Sequence, residues 1–140
     1  MAIVITEIHA APSRAALNQE WFVVENRGEK AFSTAGCTVS TGKKSAPRLK
    51  PVGQMDPGFT LAAGDRVRVV TGNPGKKAQG EPPAEDGGVK NYHLFHGELL
   101  LTGPGTTLAV SLKQHELARA TFDPEAPAGV LSSKNGAAKQ

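Results

Sequence analysis

Glycine and proline punctuate this chain too often for long helices. There are 16 Gly and 10 Pro among 140 residues, and no stretch keeps a helical period over about ten residues. Glycine admits positive φ, and proline removes a backbone donor, so both favour turns between short strands. What stands between them has the two-residue period of strands. Arg66-Val67-Arg68-Val69-Val70 alternates charge with apolar side chains, putting Val67 and Val69 inward and Arg66 and Arg68 outward. Thr107–Leu112 repeats the pattern, with Leu108, Val110 and Leu112 on one face.

The remaining strands follow from the same signals. Ala2–His9 opens the chain, and Pro12-Ser13 closes that segment. Glu20–Asn26 holds the continuous apolar run Trp21-Phe22-Val23-Val24, which predicts a central strand with both faces at least partly covered. Asn26-Arg27-Gly28 is a turn, and Ala35–Thr41 the next strand. Pro51, Gly53, Pro57 and Gly58 argue against regular structure over 49–58. Residues 72–90 read as an unusually long loop, an insertion at a sheet edge. Tyr92–Phe95 and Leu99–Leu101 are short apolar pieces, and a hairpin tip at Lys113–Glu116 leads into a last strand, Leu117–Phe122. About seven to nine short strands predict a sandwich of two antiparallel sheets. The expected division is a domain over 1–123 and a flexible tail over 124–140.

The opening residues also resemble those of lamin-tail domains, which are immunoglobulin-like β-sandwiches. Ile5, Glu7 and Ile8 match the family's first strand, and Glu20, Trp21, Asn26 and Gly28 its second strand and turn. Ala35, Gly36 and Val39 follow, then Phe59, Leu61, Ala63, Gly64, Val67, Val69 and Val70. Leu108, Val110, Leu112, Ala118 and Phe122 fit the closing hairpin. The likeness spans roughly residues 2–123, with Val23 replacing a Glu and Cys37 an aromatic ring. It implies an immunoglobulin-like fold and a non-catalytic module that binds proteins or nucleic acid. Read physically, Trp21 is a core anchor, and Glu7 and Glu20 are partners for Arg66 or Arg68 across the sheet.

Motifs for chemistry are weak. Cys37 is the single cysteine, so no disulfide forms within the chain, and its strand position predicts an inert buried thiol. His93 and His96 fall on opposite faces of a strand, and His9 and His115 lie far from them in sequence. Gly36 and Gly42 have five residues between them where a phosphate loop needs four, and no helix follows. Glu81, Glu85 and Asp86 lack the spacing of a calcium loop. No Gly-x-Ser-x-Gly elbow occurs. The expectation is a protein without enzymatic activity, metal or cofactor.

Net charge is +3, with 21% charged residues, which permits an anionic partner without requiring one. The densest basic run holds Lys43, Lys44, Arg48 and Lys50, uninterrupted by an acid, with Lys76 and Lys77 as additions if the loops meet. Its plain reading is a solvated loop. Its sharper reading is an anion or nucleic-acid contact, with no interleaved aromatics to stack bases. No apolar run reaches the roughly 20 residues of a membrane span, and no leader pattern precedes the first strand, so a cytoplasmic chain is expected. A protein partner is the first expectation for function. DNA or polyanion binding through 43–50 is the second, and self-association through exposed sheet edges the third.

Overall fold

A computed structural model describes residues 3–43, 49–56, 58–85, 89–113 and 115–131. The architecture is all-β, a sandwich of two four-stranded sheets plus a small two-stranded sheet. The strands are β1 (Ile3–His9), β2 (Trp21–Asn26), β3 (Phe32–Ser33), β4 (Thr38–Lys43), β5 (Lys50–Gln54), β6 (Thr60–Leu61), β7 (Arg66–Val70), β8 (Lys90–His93), β9 (Thr106–Leu112) and β10 (His115–Thr121). One sheet runs β1-β2-β7-β8 and the other β10-β9-β4-β5, while β3 pairs with β6. Ten strands thus stand among the described residues, against the seven to nine expected. Two of the ten are two-residue pieces. No helix among the described residues is long and apolar enough to cross a membrane.

The core lies between the two four-stranded sheets. Ile3 and Ile5 face it from β1, and a bulge between Ile5 and Glu7 shifts the register so that Ile8 faces it too. Phe22 and Val24 enter from β2, Val69 from β7, Val39 from β4, and Leu108 and Val110 from β9. The alternation in β7 and β9 therefore means what it meant in the sequence. Trp21 does not join this core. The pleat turns Phe22 inward, and Trp21, one residue earlier, lies half-buried outside. There its ring stacks on His9, with centroids 4.0 Å apart, beneath the Arg68 guanidinium.

One pair is not antiparallel. β7 and β8 run parallel, and parallel neighbours need a crossover. The Gly/Pro-rich segment after Val70 is that crossover, not an insertion. Its described residues are well tied down. Asn18 Nδ2 donates to the carbonyls of Asn73 (2.8 Å) and Gly80 (3.0 Å). Asn91 Nδ2 donates to Pro83 O at 2.7 Å, and Arg68 Nη1 donates to Asn91 Oδ1 at 2.8 Å and Ala84 O at 3.3 Å. A short 3-10 turn, Lys77–Gln79, packs on another at Leu17–Gln19. Val23 and Val70, one on each strand's outward face or its end, are both buried, so β2 is covered on both sides as its apolar run requires.

β5 forms over residues that looked irregular. It pairs only with β4, across a register shift at Val39/Ser40. An edge strand tolerates Pro51 because one side of its backbone needs no ladder partner. β4 begins at Thr38, later than expected, because Gly36 turns through φ +83°.

Residues 123–131 pack back on the sandwich instead of leaving it. Phe122 bridges Val130, Leu131 N–H donates to Thr121 O, and Ile8 N–H donates to Ala128 O. β1 and β10 pack against each other, and this segment hydrogen-bonds to both, clamping one seam between the sheets. The part of the expected tail over 124–131 is therefore integral. Residues 132–140 lie outside the described residues.

Candidate functional site

The register assigns the described cations of the two basic segments to one end of the sandwich. Trp21 starts β2 opposite Val70, the last residue of β7, and Val70 lies beside His93, the last of β8. Thr41 Oγ1 donates to Leu100 O, and Leu100 N–H donates to Glu20, so the end of β4 belongs to the same pole. Lys43 closes β4 opposite Thr106, and Lys50 opens β5 opposite Thr41. Both are exposed. Lys44 and Arg48 lie between them, outside the described residues. Lys76 and Lys77 reach the same pole on the crossover beside the Leu17–Gln19 turn. Lys43 and Lys50 thus belong to the same end as Lys76 and Lys77, though on the opposite sheet.

Residues 94–105 complete that end. With Arg14 they line an open cleft of about 670 Å³, through Gly97, Glu98, Leu99, Leu101 and Thr102. They also include Phe95, the exposed large hydrophobic side chain of the described residues, at 62% exposure. Its φ is +57°, a conformation sterically costly for a bulky L-residue. Hydrogen bonds on both sides hold it there. Leu94 N–H donates to Val70 O and His96 N–H to Thr71 O, each at 2.8 Å. The His93 ring is tilted against Phe95 at 6.2 Å. Glu98 is the acidic side chain on the cleft lining.

The opposite pole is mixed in charge. Glu25 pairs with Arg27 at 3.6 Å, and Asp65 Oδ2 accepts from Ala62 N–H. Glu116, near the far hairpin, holds Arg119 at 2.8 Å.

Buried polar groups bind the fold together. Glu20 is 2% exposed. Its Oε1 accepts from Thr71 Oγ1 (2.6 Å) and Leu100 N–H (2.8 Å), and Oε2 from Leu101 N–H (3.0 Å). Burial pushes its carboxyl above the ordinary range, against the opposing effects of those three bonds and of His96. Glu20 therefore does not pair with Arg66 or Arg68. It precedes β2 and faces inward, where it fastens the 94–105 segment. Asn26 Nδ2 donates to Lys30 O and Leu61 O while its Oδ1 accepts from Gly28 N–H, shaping the turn read in the sequence.

Cys37 is fully buried, and burial raises its thiol pKa, which disfavours the reactive thiolate. His93 is lowered by burial, and its Nδ1 lies 3.2 Å from Gly72 O. Among the described residues no group of three or more His, Cys, Asp or Glu is placed to hold a metal. Glu85 Oε2 accepts from Asn91 N–H at 2.6 Å, and Asp86 lies outside the described residues.

Phe95 and Arg14 were not singled out from sequence. Phe95 sits in an apolar run, Tyr92-His93-Leu94-Phe95, that reads as buried, and only the turn at its end exposes it. A comparison with protein-family models finds no match, and a search of curated proteins finds none either.

Proposed function

We propose that this chain is a non-catalytic interaction module that docks an anionic macromolecule on its basic end. The observation that carries the reading is that Lys43, Lys50, Lys76 and Lys77 belong to the same end of the sandwich as Arg14 and the exposed Phe95. Clustered cations lower the energy of an approaching polyanion and raise its encounter rate. A solvent-facing aromatic at the same end supplies contact area at little entropic cost. Both partner classes expected from the sequence, a protein with an acidic surface and a nucleic acid, offer that charge. The resemblance to lamin-tail domains supports the same reading, since it implies binding and an immunoglobulin-like sandwich. Self-association through sheet edges is less favoured, because Glu85 caps Asn91 N–H on β8 and Ala128 caps Ile8 N–H on β1.

Retention on immobilised heparin over a salt gradient tests the proposal. The native chain should elute well above the salt needed for a variant carrying alanine at Lys43, Lys50, Lys76 and Lys77. Flow-through of the native chain at low salt would sink it.

A further inference from the structure

We infer that the anionic partner is a single-stranded nucleic acid, with an unpaired base stacked on Phe95 and its phosphates running toward the lysines of the same pole. The inference rests on the basic-end reading above and goes on to name its ligand. Phe95 is exposed, bulky and held at positive φ by a hydrogen bond on each side. Strain of this kind persists where the surrounding structure over-determines it, and it gathers at functional positions. Here its effect is to hold an aromatic face in solvent at the pole where Lys43, Lys50, Lys76 and Lys77 collect.

An exposed aromatic ring and cations on one surface are what recognition of unpaired bases requires. Every base has a π-face, and the phosphates supply the charge, so such a surface binds without a fixed sequence. A duplex keeps its bases stacked on one another and offers this ring little. An acidic protein would satisfy the lysines but does not need a flat ring face. The crossover and the 94–105 segment flank the ring with backbone tied to the sheet: Gly80 and Asn73 through Asn18, Leu100 and Leu101 through Glu20. The platform is therefore preorganised, which reduces the ordering cost of binding.

The test is fluorescence anisotropy at low salt with a labelled oligo(dT) of about 15 nucleotides, the corresponding duplex, poly-L-glutamate and heparin. The full chain is compared with Phe95→Ala, Phe95→Gly and Phe95→Trp. The native chain should bind oligo(dT) more tightly than the duplex or polyglutamate. Phe95→Ala and Phe95→Gly should weaken oligo(dT) binding by roughly 5-fold to 100-fold and heparin binding by less than about twofold. Phe95→Trp should keep the affinity. Phe95→Gly relieves the backbone constraint, so a loss of binding in a variant with unreduced thermal stability cannot come from unfolding. Lys30→Ala, at the opposite pole, should leave oligo(dT) binding unchanged. Equal losses for oligo(dT) and heparin, or no loss for either, would overturn the stacking role while the basic-end reading stands. Tighter binding to polyglutamate would transfer the surface to an acidic protein and overturn the inference. Failure to bind heparin as well as oligo(dT) would remove both.

Discussion

The Thr71 hydroxyl donates to Glu20 Oε1 over 2.6 Å inside the protein, and the same carboxylate accepts the backbone N–H groups of Leu100 and Leu101. One buried side chain thus joins β2, the end of β7 and the long segment before β9. Removing it in Glu20→Ala leaves two buried N–H donors without acceptors. Each such donor costs about 1–3 kcal/mol, so urea unfolding should show a loss of about 2–5 kcal/mol. A change below about 1 kcal/mol would mean that water or a neighbour replaces the carboxylate.

The protonation of Glu20 carries a second consequence. Its folded pKa lies above the unfolded value because burial disfavours the charged form. The folded state therefore binds the proton more tightly, and the resulting stabilisation is complete below the unfolded carboxylate range. It is lost as pH rises through the folded pKa. Glu20→Gln has no such titration. The stability of the native chain minus that of Glu20→Gln should be most favourable in acid and decline as pH rises. Measured unfolding free energies for the pair across mildly acidic to neutral pH check the sign, and a difference growing with pH would contradict it.

Gly129 should tolerate no side chain. Its φ is +76°, and a Cβ there would collide with the Ile8 carbonyl oxygen. Ile8 also donates its N–H to Ala128, so the collision would push the 123–131 clamp off β1. Gly129→Ala is expected to cost about 2–4 kcal/mol and to speed amide exchange at Ile8 and Leu131. Preserved protection at those amides would show that the clamp survives the substitution.

Cys37 provides a direct readout of opening. With its thiol fully buried and its pKa raised, labelling by a thiol reagent should wait for unfolding and accelerate with denaturant along the unfolding transition. Stoichiometric labelling of the native protein within seconds would place the thiol at the surface.

How much of this was legible in the sequence depended on whether a signal was local. The alternation in Arg66–Val70 and Thr107–Leu112 and the Asn26 turn are set by neighbouring residues, and the structure repeats them. β5 was hidden because Pro51 and Gly53 oppose a strand in general and are compatible with an edge strand in particular. The 72–90 segment looked like an insertion because nothing local states that β7 and β8 are parallel; that pairing alone makes a crossover necessary. Trp21 seemed a core anchor by size, yet the pleat, fixed by Phe22, faces it outward. Lys43 and Lys50 were visible as a basic run, whereas their sharing a pole with Lys76, Lys77 and Phe95 is a matter of register between distant strands.

Phe95 should also show opposed effects on stability and binding. A left-handed backbone costs a β-carbon-bearing residue roughly 1–2 kcal/mol, and glycine pays back part of that through its greater freedom in the unfolded chain, about 0.5–1 kcal/mol. The ring is mostly exposed, with φ +57°, so little burial is lost on its removal. Phe95→Gly is therefore expected to be more stable than the native chain by about 0.5–1 kcal/mol, while Phe95→Ala, which keeps the Cβ clash, should not gain. Thermal and urea unfolding of the two variants decide this. If both lose stability alike, the ring holds the 94–105 segment through packing, and its exposure to solvent is not maintained against a backbone cost.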